Sequence, residues 1–153
     1  AAISACEKAG QWRLALGLLG SMPTLRVAQN EVTFNAAISA CEEGGQWQVA
    51  LGLLARMPAA RLLPDEISFN AAISCCEKAG QWQLALTLLG DMPAARAVPD
   101  EVTYGSAVSA CERGLQWERA LEVFAAMHEG RLAPNGIMWG SVLSSMVRGG
   151  CWD

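Results

Sequence analysis

Few side chains in this sequence could do covalent or metal chemistry. There are six cysteines and one histidine, His128. No Cys-x-x-Cys occurs, so the usual spacing of a zinc site is missing. Cys6, Cys41, Cys76 and Cys111 recur every 35 residues, as small core residues of a repeat would. Equivalent positions on helices packed ~8–10 Å apart lie beyond the ~7 Å Cα limit for a disulfide. Reduced thiols fit an intracellular, reducing compartment. The adjacent pair Cys75-Cys76 reads as an alanine replaced by cysteine. No Ser/His/Asp set, phosphate-cradling loop or paired-carboxylate pocket is legible, so the sequence reads as a non-enzyme with no metal and no cofactor.

Hydrogen bonding is the richer chemistry. Ile67, Asn70, Ser74 and Glu77/Lys78 follow one another at helical spacing. The same stripe recurs as Val32, Asn35, Ser39, Glu42/Glu43 and as Val102, Gly105, Ser109, Glu112/Arg113. A merely solvated face need not keep an Asn in successive copies, nor a β-branched residue one turn before it. Recent duplication is the plain alternative, because segments 31–65 and 66–100 are identical at 24 of 35 positions.

The elements that carry this stripe follow from the period. Trp12, Trp47, Trp82, Trp117 and Trp152 are each 35 residues apart, as are Met22, Met57, Met92 and Met127. A fixed period of this length means a solenoid of small supersecondary units. Full repeats are expected at 31–65, 66–100 and 101–135, with partial ones at 1–30 and 136–153. In the repeat 66–100 the spacing predicts a first helix over 66–78 and a second over 81–92. Asp65 stands where an N-cap is wanted, with Glu66 in the first turn. Phe69, Ile73 and Cys76 form the apolar face of the first helix. Ala79-Gly80 stops it, and Pro93 and Pro99 bracket the closing loop. The second helix carries Trp82, Ala85, Leu86, Leu89 and Met92, with Leu84 and Leu88 widening the apolar surface. It is therefore expected to lie in the middle of the stack, with the tryptophans as buried anchors. No strand-like alternation occurs, so the fold class is all-α, a right-handed α-solenoid.

Composition excludes other classes. Of the 153 residues, 52% are hydrophobic and 17% charged, which is not the makeup of a disordered tail. No apolar run reaches the ~18 residues of a membrane span. A net charge of −4 argues against a protein held to nucleic acid by bulk charge alone.

The motifs resemble the pentatricopeptide repeat family, 35-residue helical hairpins that bind single-stranded RNA. Val32-Thr33-Phe34-Asn35 and Val102-Thr103-Tyr104-Gly105 resemble the family's opening Val-Thr-Tyr-Asn, with Phe34 for the tyrosine and Gly105 for the asparagine. Cys76-Glu77-Lys78-Ala79-Gly80, one residue longer than the family's Cys-Lys-Ala-Gly, then Ala85-Leu86, Met92 and Pro99-Asp100 follow its later landmarks. The tetratricopeptide pattern, 34 residues with Trp-Leu-Gly-Tyr in the first helix, is absent. Such repeats read about one base each with two or three side chains. The resemblance implies that Val32, Ile67, Val102 and Ile137 sandwich bases. It implies base selection by Asn35, Asn70, Gly105 and Gly140 together with Asn30, Asp65, Asp100 and Asn135. Asn with a closing Asp favours uracil in this family, at repeats 31–65 and 66–100, while Gly105 with Asn135 leans towards adenine. Phosphates would meet Lys8, Lys78, Arg113 and Arg148, with Glu43 as the gap in that row. Glu7, Glu42, Glu77 and Glu112 directly precede these places. Arg26, Arg61, Arg96 and Arg131 recur in the loops as solvated charges. The implied activity is RNA processing or stabilisation by occupancy, in a mitochondrion or chloroplast by resemblance only. A scaffold whose groove takes a protein or an extended peptide is the alternative.

Overall fold

The computed structural model describes residues 2–150. Trp152, expected in a second helix of the last segment, lies outside them. The described residues form four helical hairpins and one further helix. The hairpins are α1 (Ala2–Lys8) with α2 (Trp12–Ser21), α3 (Glu31–Glu43) with α4 (Trp47–Arg56), α5 (Glu66–Lys78) with α6 (Trp82–Asp91), and α7 (Glu101–Arg113) with α8 (Trp117–Glu129). The further helix is α9 (Gly136–Arg148). No strand occurs among the described residues. None of the helices is long and apolar enough to cross a membrane.

Local chemistry fixes the ends. Asn30, Asp65 and Asp100 cap α3, α5 and α7 in capping boxes: each accepts from the backbone N–H three residues on, at 2.9 Å. The hydroxyl of Thr33, Ser68 or Thr103 accepts the N–H of the cap in return, which satisfies two orphan donors per helix. Asn135 caps α9 by its side chain alone, since Met138 has no hydroxyl. The first helices end in a left-handed residue, Gly10, Gly45, Gly80 and Gly150, but Leu115 takes that place after α7 with φ 55°. α2, α4 and α6 span ten residues and α8 thirteen. Pro23, Pro58 and Pro93 stand just beyond the shorter ones, where the missing N–H halts a helix. His128 replaces that proline and α8 runs on to Glu129. The loop arginines Arg26, Arg61, Arg96 and Arg131 are exposed. All four also adopt left-handed backbone, φ 55–62°.

The first helices, not the second, form the middle of the stack. α5 packs on α3, α4, α6 and α7, whereas α6 touches only α5 and α7. Seven of the thirteen residues of α5 are buried, against two of the ten in α6. The cause is side-chain size. Ala37, Ala72 and Ala107, with Ala40, Cys75 and Ala110, are fully buried and let the first helices close on one another from both sides. Cys75 thus occupies the place of an alanine, as the sequence suggested. Each second helix has one well-buried edge, Ala85 and Leu88 in α6 with Met92 just beyond its end, and Leu86 and Leu89 are only half-buried.

The tryptophans need a second correction. Trp12, Trp47, Trp82 and Trp117 are half-buried rather than enclosed. Trp12, Trp82 and Trp117 lie over the backbone just past the next first helix, at Gly44, Gly114 and Gly149, where a methyl group would overlap the indole. They still tie one repeat to the next, by covering a helix end. Phe34, Ile38, Phe69, Ile73 and Met57 supply the enclosed apolar volume instead.

Candidate functional site

Packing the first helices side by side leaves one of their faces open. On it, Val32, Ile67, Val102 and Ile137 are 67%, 61%, 58% and 79% exposed. A β-branched apolar side chain left in water at the same place in every repeat is a feature that folding alone does not require.

Between these aliphatic residues sit the polar ones. Asn35 lies on the second turn of α3, where the N-terminus of α5 meets it. Its Nδ2 donates to Asp65 at 3.1 Å (Oδ1) and 3.3 Å (Oδ2). Its Oδ1 accepts the hydroxyl of Ser68 at 2.6 Å. The next repeat copies this arrangement. Asn70 Nδ2 donates to Asp100 at 3.3 and 3.5 Å, and Thr103 Oγ1 donates to Asn70 Oδ1 at 2.6 Å. Partial burial works to raise the Asp65 pKa, but hydrogen bonds from the Ser68 N–H, the Ser68 hydroxyl and the Asn35 amide prevail and hold it below the usual value. Asp100 is lowered in the same way, against partial burial, by Thr103 and Asn70. Both carboxylates are thus anionic acceptors at neutral pH.

Two openings bring several of these residues together. Val32, Asn35 and Ile67 share a slot of about 190 Å³ with Ser39 and Glu7. Val102, Gly105, Asn135 and Ile137 line a larger one of about 260 Å³ with Ser106 and Ser109. Gly105 supplies no side chain there and nothing fills the space its Cβ would take. Asn135 is committed to the Met138 N–H at 3.0 Å. Asn30 is an exposed cap of α3, and Gly140 is exposed on α9 with open space beside it.

The cations of the expected phosphate row are not all free. Lys78 Nζ lies 3.0 Å from both Glu42 Oε1 and Glu43 Oε1. Arg113 Nε lies 3.4 Å from Glu77 Oε1. The hydrogen bond to Glu43, joined by Glu42, raises the Lys78 pKa. Burial raises the Glu77 pKa despite Arg113. Lys8 and Arg148 are exposed and have no ion-pair partner among the described residues. Two of the preceding glutamates, Glu42 and Glu77, therefore act as partners of the cation one repeat on. Sequence reading missed this, although the 36-residue offset from Glu42 to Lys78 and from Glu77 to Arg113 carried the signal. It also missed Ser68 and Thr103, which look like ordinary capping residues.

The described thiols lie buried in the first-helix layer. Burial pushes Cys41, Cys76 and Cys111 up to about 11 and Cys75 to about 12, so they are neutral and poorly nucleophilic near neutral pH. No group of three potential ligands is arranged for a metal among the described residues.

Comparison with known proteins adds the following. A profile described as pentatricopeptide repeat domain matches residues 18–79. A PPR repeat family profile matches 64–113, and a PPR repeat profile matches 1–27 and 102–132. No curated protein sequence matches. Among solved structures, the chain is similar to the PPR domain of Arabidopsis thaliana protein-only RNase P 1 in complex with tRNA. That match has 20% identity and a TM-score of 0.83, and covers 95% of this chain and 77% of that one. It is similar to the pentatricopeptide repeat protein PPR10 from maize at 23% identity and TM-score 0.84, over 97% of this chain and 21% of that one. The complex of PPR10 with an 18-nt psaJ RNA element gives 22% identity, a TM-score of 0.77, and 90% and 20% coverage. At these identities the likeness shows the fold, a solenoid of helical repeats.

Proposed function

The chain belongs to the pentatricopeptide repeat family, and from that premise we propose that its open face binds single-stranded RNA, one base per repeat. The observation that carries this reading is the alternation of exposed aliphatic residues with polar pairs: Val32, Asn35–Asp65, Ile67, Asn70–Asp100, Val102. A base enters between two aliphatic side chains and presents its Watson–Crick edge to the amide between them. Aromatic platforms contribute roughly 1–3 kcal/mol per base, and aliphatic ones less.

The amides of Asn35 and Asn70 each offer a donor and an acceptor, which suits the O4 and N3–H of uracil. The wider opening at Gly105 and Asn135 takes a purine, adenine by the family pattern. Phosphates meet Lys8, Lys78, Arg113 and Arg148. Lys78 and Arg113 must exchange a carboxylate for a phosphate as they do so, which weakens binding, while the phosphate contacts themselves make it salt-dependent. The protein then acts by occupancy, protecting RNA or guiding its processing, in an organelle as is expected of the family.

The paired cations favour a second reading, a scaffold in which the same groove takes an extended peptide. Titration of the Asn35→Thr/Asn70→Thr variant against U-rich and G-rich oligonucleotides separates the two. The RNA reading expects preference to move from U towards G. Absence of oligonucleotide binding at low salt, or indifference to the substitutions, refutes it.

A further inference from the structure

A capping box asks only that the third side chain of a helix accept the N–H of its cap. Thr33 does this for Asn30 at 3.0 Å and turns its own proton back to the Asn30 carbonyl at 2.7 Å. Ser68 and Thr103 cap in the same way but send their protons elsewhere. Each lies 2.6 Å from the Oδ1 of an asparagine in the preceding first helix, Asn35 or Asn70. Each is also 2.8 Å from the cap's own carboxylate oxygen, so one hydroxyl proton lies between the two oxygens. Both hydroxyls are fully buried with their residues. Capping does not explain this second bond.

We infer that Ser68 and Thr103 are positioning residues for base choice, and that they divide uracil from cytosine in the repeat before their own. The inference rests on the RNA reading above. A side-chain amide can turn half a revolution about its Cβ–Cγ bond and exchange donor for acceptor. Uracil pairs its O4 and N3–H with an amide held one way round. Cytosine, with an N4 donor beside an N3 acceptor, pairs with the same amide reversed. Asp65 or Asp100 holds the Nδ2 end as a donor. The hydroxyl holds the Oδ1 end as an acceptor. With both ends held, the amide keeps the sense that fits uracil. At the third site the device is missing: position 105 is glycine and Met138 stands where Ser68 and Thr103 stand.

The test uses the full chain and fluorescence anisotropy. The probes are an oligouridine and a set in which one uridine at a time becomes cytidine. Asn70→Ala removes the reader, Thr103→Val removes the hydroxyl and keeps the shape, and Thr103→Ser restores the hydroxyl. Circular dichroism confirms that each variant folds, and Ser68→Ala provides the same test at Asn35. The wild-type chain and Thr103→Ser are expected to disfavour cytidine at the position that Asn70→Ala makes indifferent. In Thr103→Val that discrimination shrinks by about two- to tenfold, the factor one hydrogen bond of ordinary net strength carries. An unchanged uridine-to-cytidine ratio in Thr103→Val, with the ratio lost in Asn70→Ala, overturns the positioning role and leaves the RNA reading standing. A ratio insensitive to Asn70→Ala, or no binding at all, overturns both.

Discussion

Replacing Glu43 by lysine probes the electrostatics of the open face most directly. Position 43 is in register with Lys8, Lys78, Arg113 and Arg148 and is the one acidic member of that row. The Glu43 carboxylate lies 3.0 Å from Lys78 Nζ, with side chains 59% and 42% exposed. An ion pair this exposed contributes about 0–1 kcal/mol, and Glu42 still holds Lys78 at 3.0 Å. Thermal stability should therefore change little. Strand binding should change more. A new lysine adds one phosphate contact, and removing one of the two carboxylates on Lys78 strengthens a second. Each contact steepens the slope of log K against log salt by about 0.7 for a single strand. Raising salt from about 50 to about 200 mM should then cost the variant roughly 2.5-fold more affinity than the wild type for one added contact, and roughly sevenfold more for two. Glu43→Gln removes one of the two carboxylates on Lys78 without adding a cation, so its slope should steepen by at most one contact. Anisotropy titrations with a U-rich oligonucleotide at three salt concentrations measure all of this. A slope identical in wild type and Glu43→Lys would show that this row does not face phosphate.

Other outcomes follow from the same geometry. Leu115→Gly should raise stability by about 1 kcal/mol, because Leu115 holds φ 55° where the other repeats have glycine; a lower melting temperature would contradict the strain. Asp100→Ala removes the cap of α7 and should cost about 0.5–2 kcal/mol in denaturant unfolding, and an unchanged midpoint would count against the cap. The folded-state pKa values of Asp65 and Asp100 lie below their unfolded ones, so the stability they add is present above about pH 4 and lost as pH falls through the folded values. An Asp65→Asn/Asp100→Asn variant should therefore show a flatter acid limb in pH-dependent melting. Cys41, Cys75, Cys76 and Cys111 should resist alkylation at pH 8 until denaturant is added, as their burial and raised pKa values require; rapid labelling of the native chain would show that the first-helix layer opens.

Much of the fold was legible because its signals are local. Asp65 as a cap, Phe69–Ile73–Cys76 as a buried face and Gly80 as a stop all depend on spacings within one helix, and the structure bears out each of them. The layer order was not legible. Leucine content marked α6 as the most apolar element, but Ala72 and Cys75 decide which helix can be approached from both sides, and small residues give a weak hydrophobic signal. Trp82 misled for the same reason: its size suggested enclosure, while its place is over the end of a neighbouring helix at Gly114. At the candidate site the aliphatic row and the polar stripe were visible as periodic residues. The partners that orient them were not, since Asn35 meets Ser68 at an offset of 33 and Glu42 meets Lys78 at 36. Such offsets become meaningful only once neighbouring helices are known to run side by side.

Because the amide comes from one hairpin and its carboxylate and hydroxyl come from the start of the next, the chemical unit is out of phase with the folding unit. A row of hairpins behaves like a fence, with hydrogen-bonded networks as the panels and hairpins as the posts, and always has one panel fewer than it has posts. Lengthening the row by any 35-residue segment adds a whole panel wherever the cut falls. Joining two unrelated rows instead creates a mixed panel at the seam, with an amide from one parent and a carboxylate from the other. On the proposed RNA reading, the choice of base at that seam belongs to neither parent.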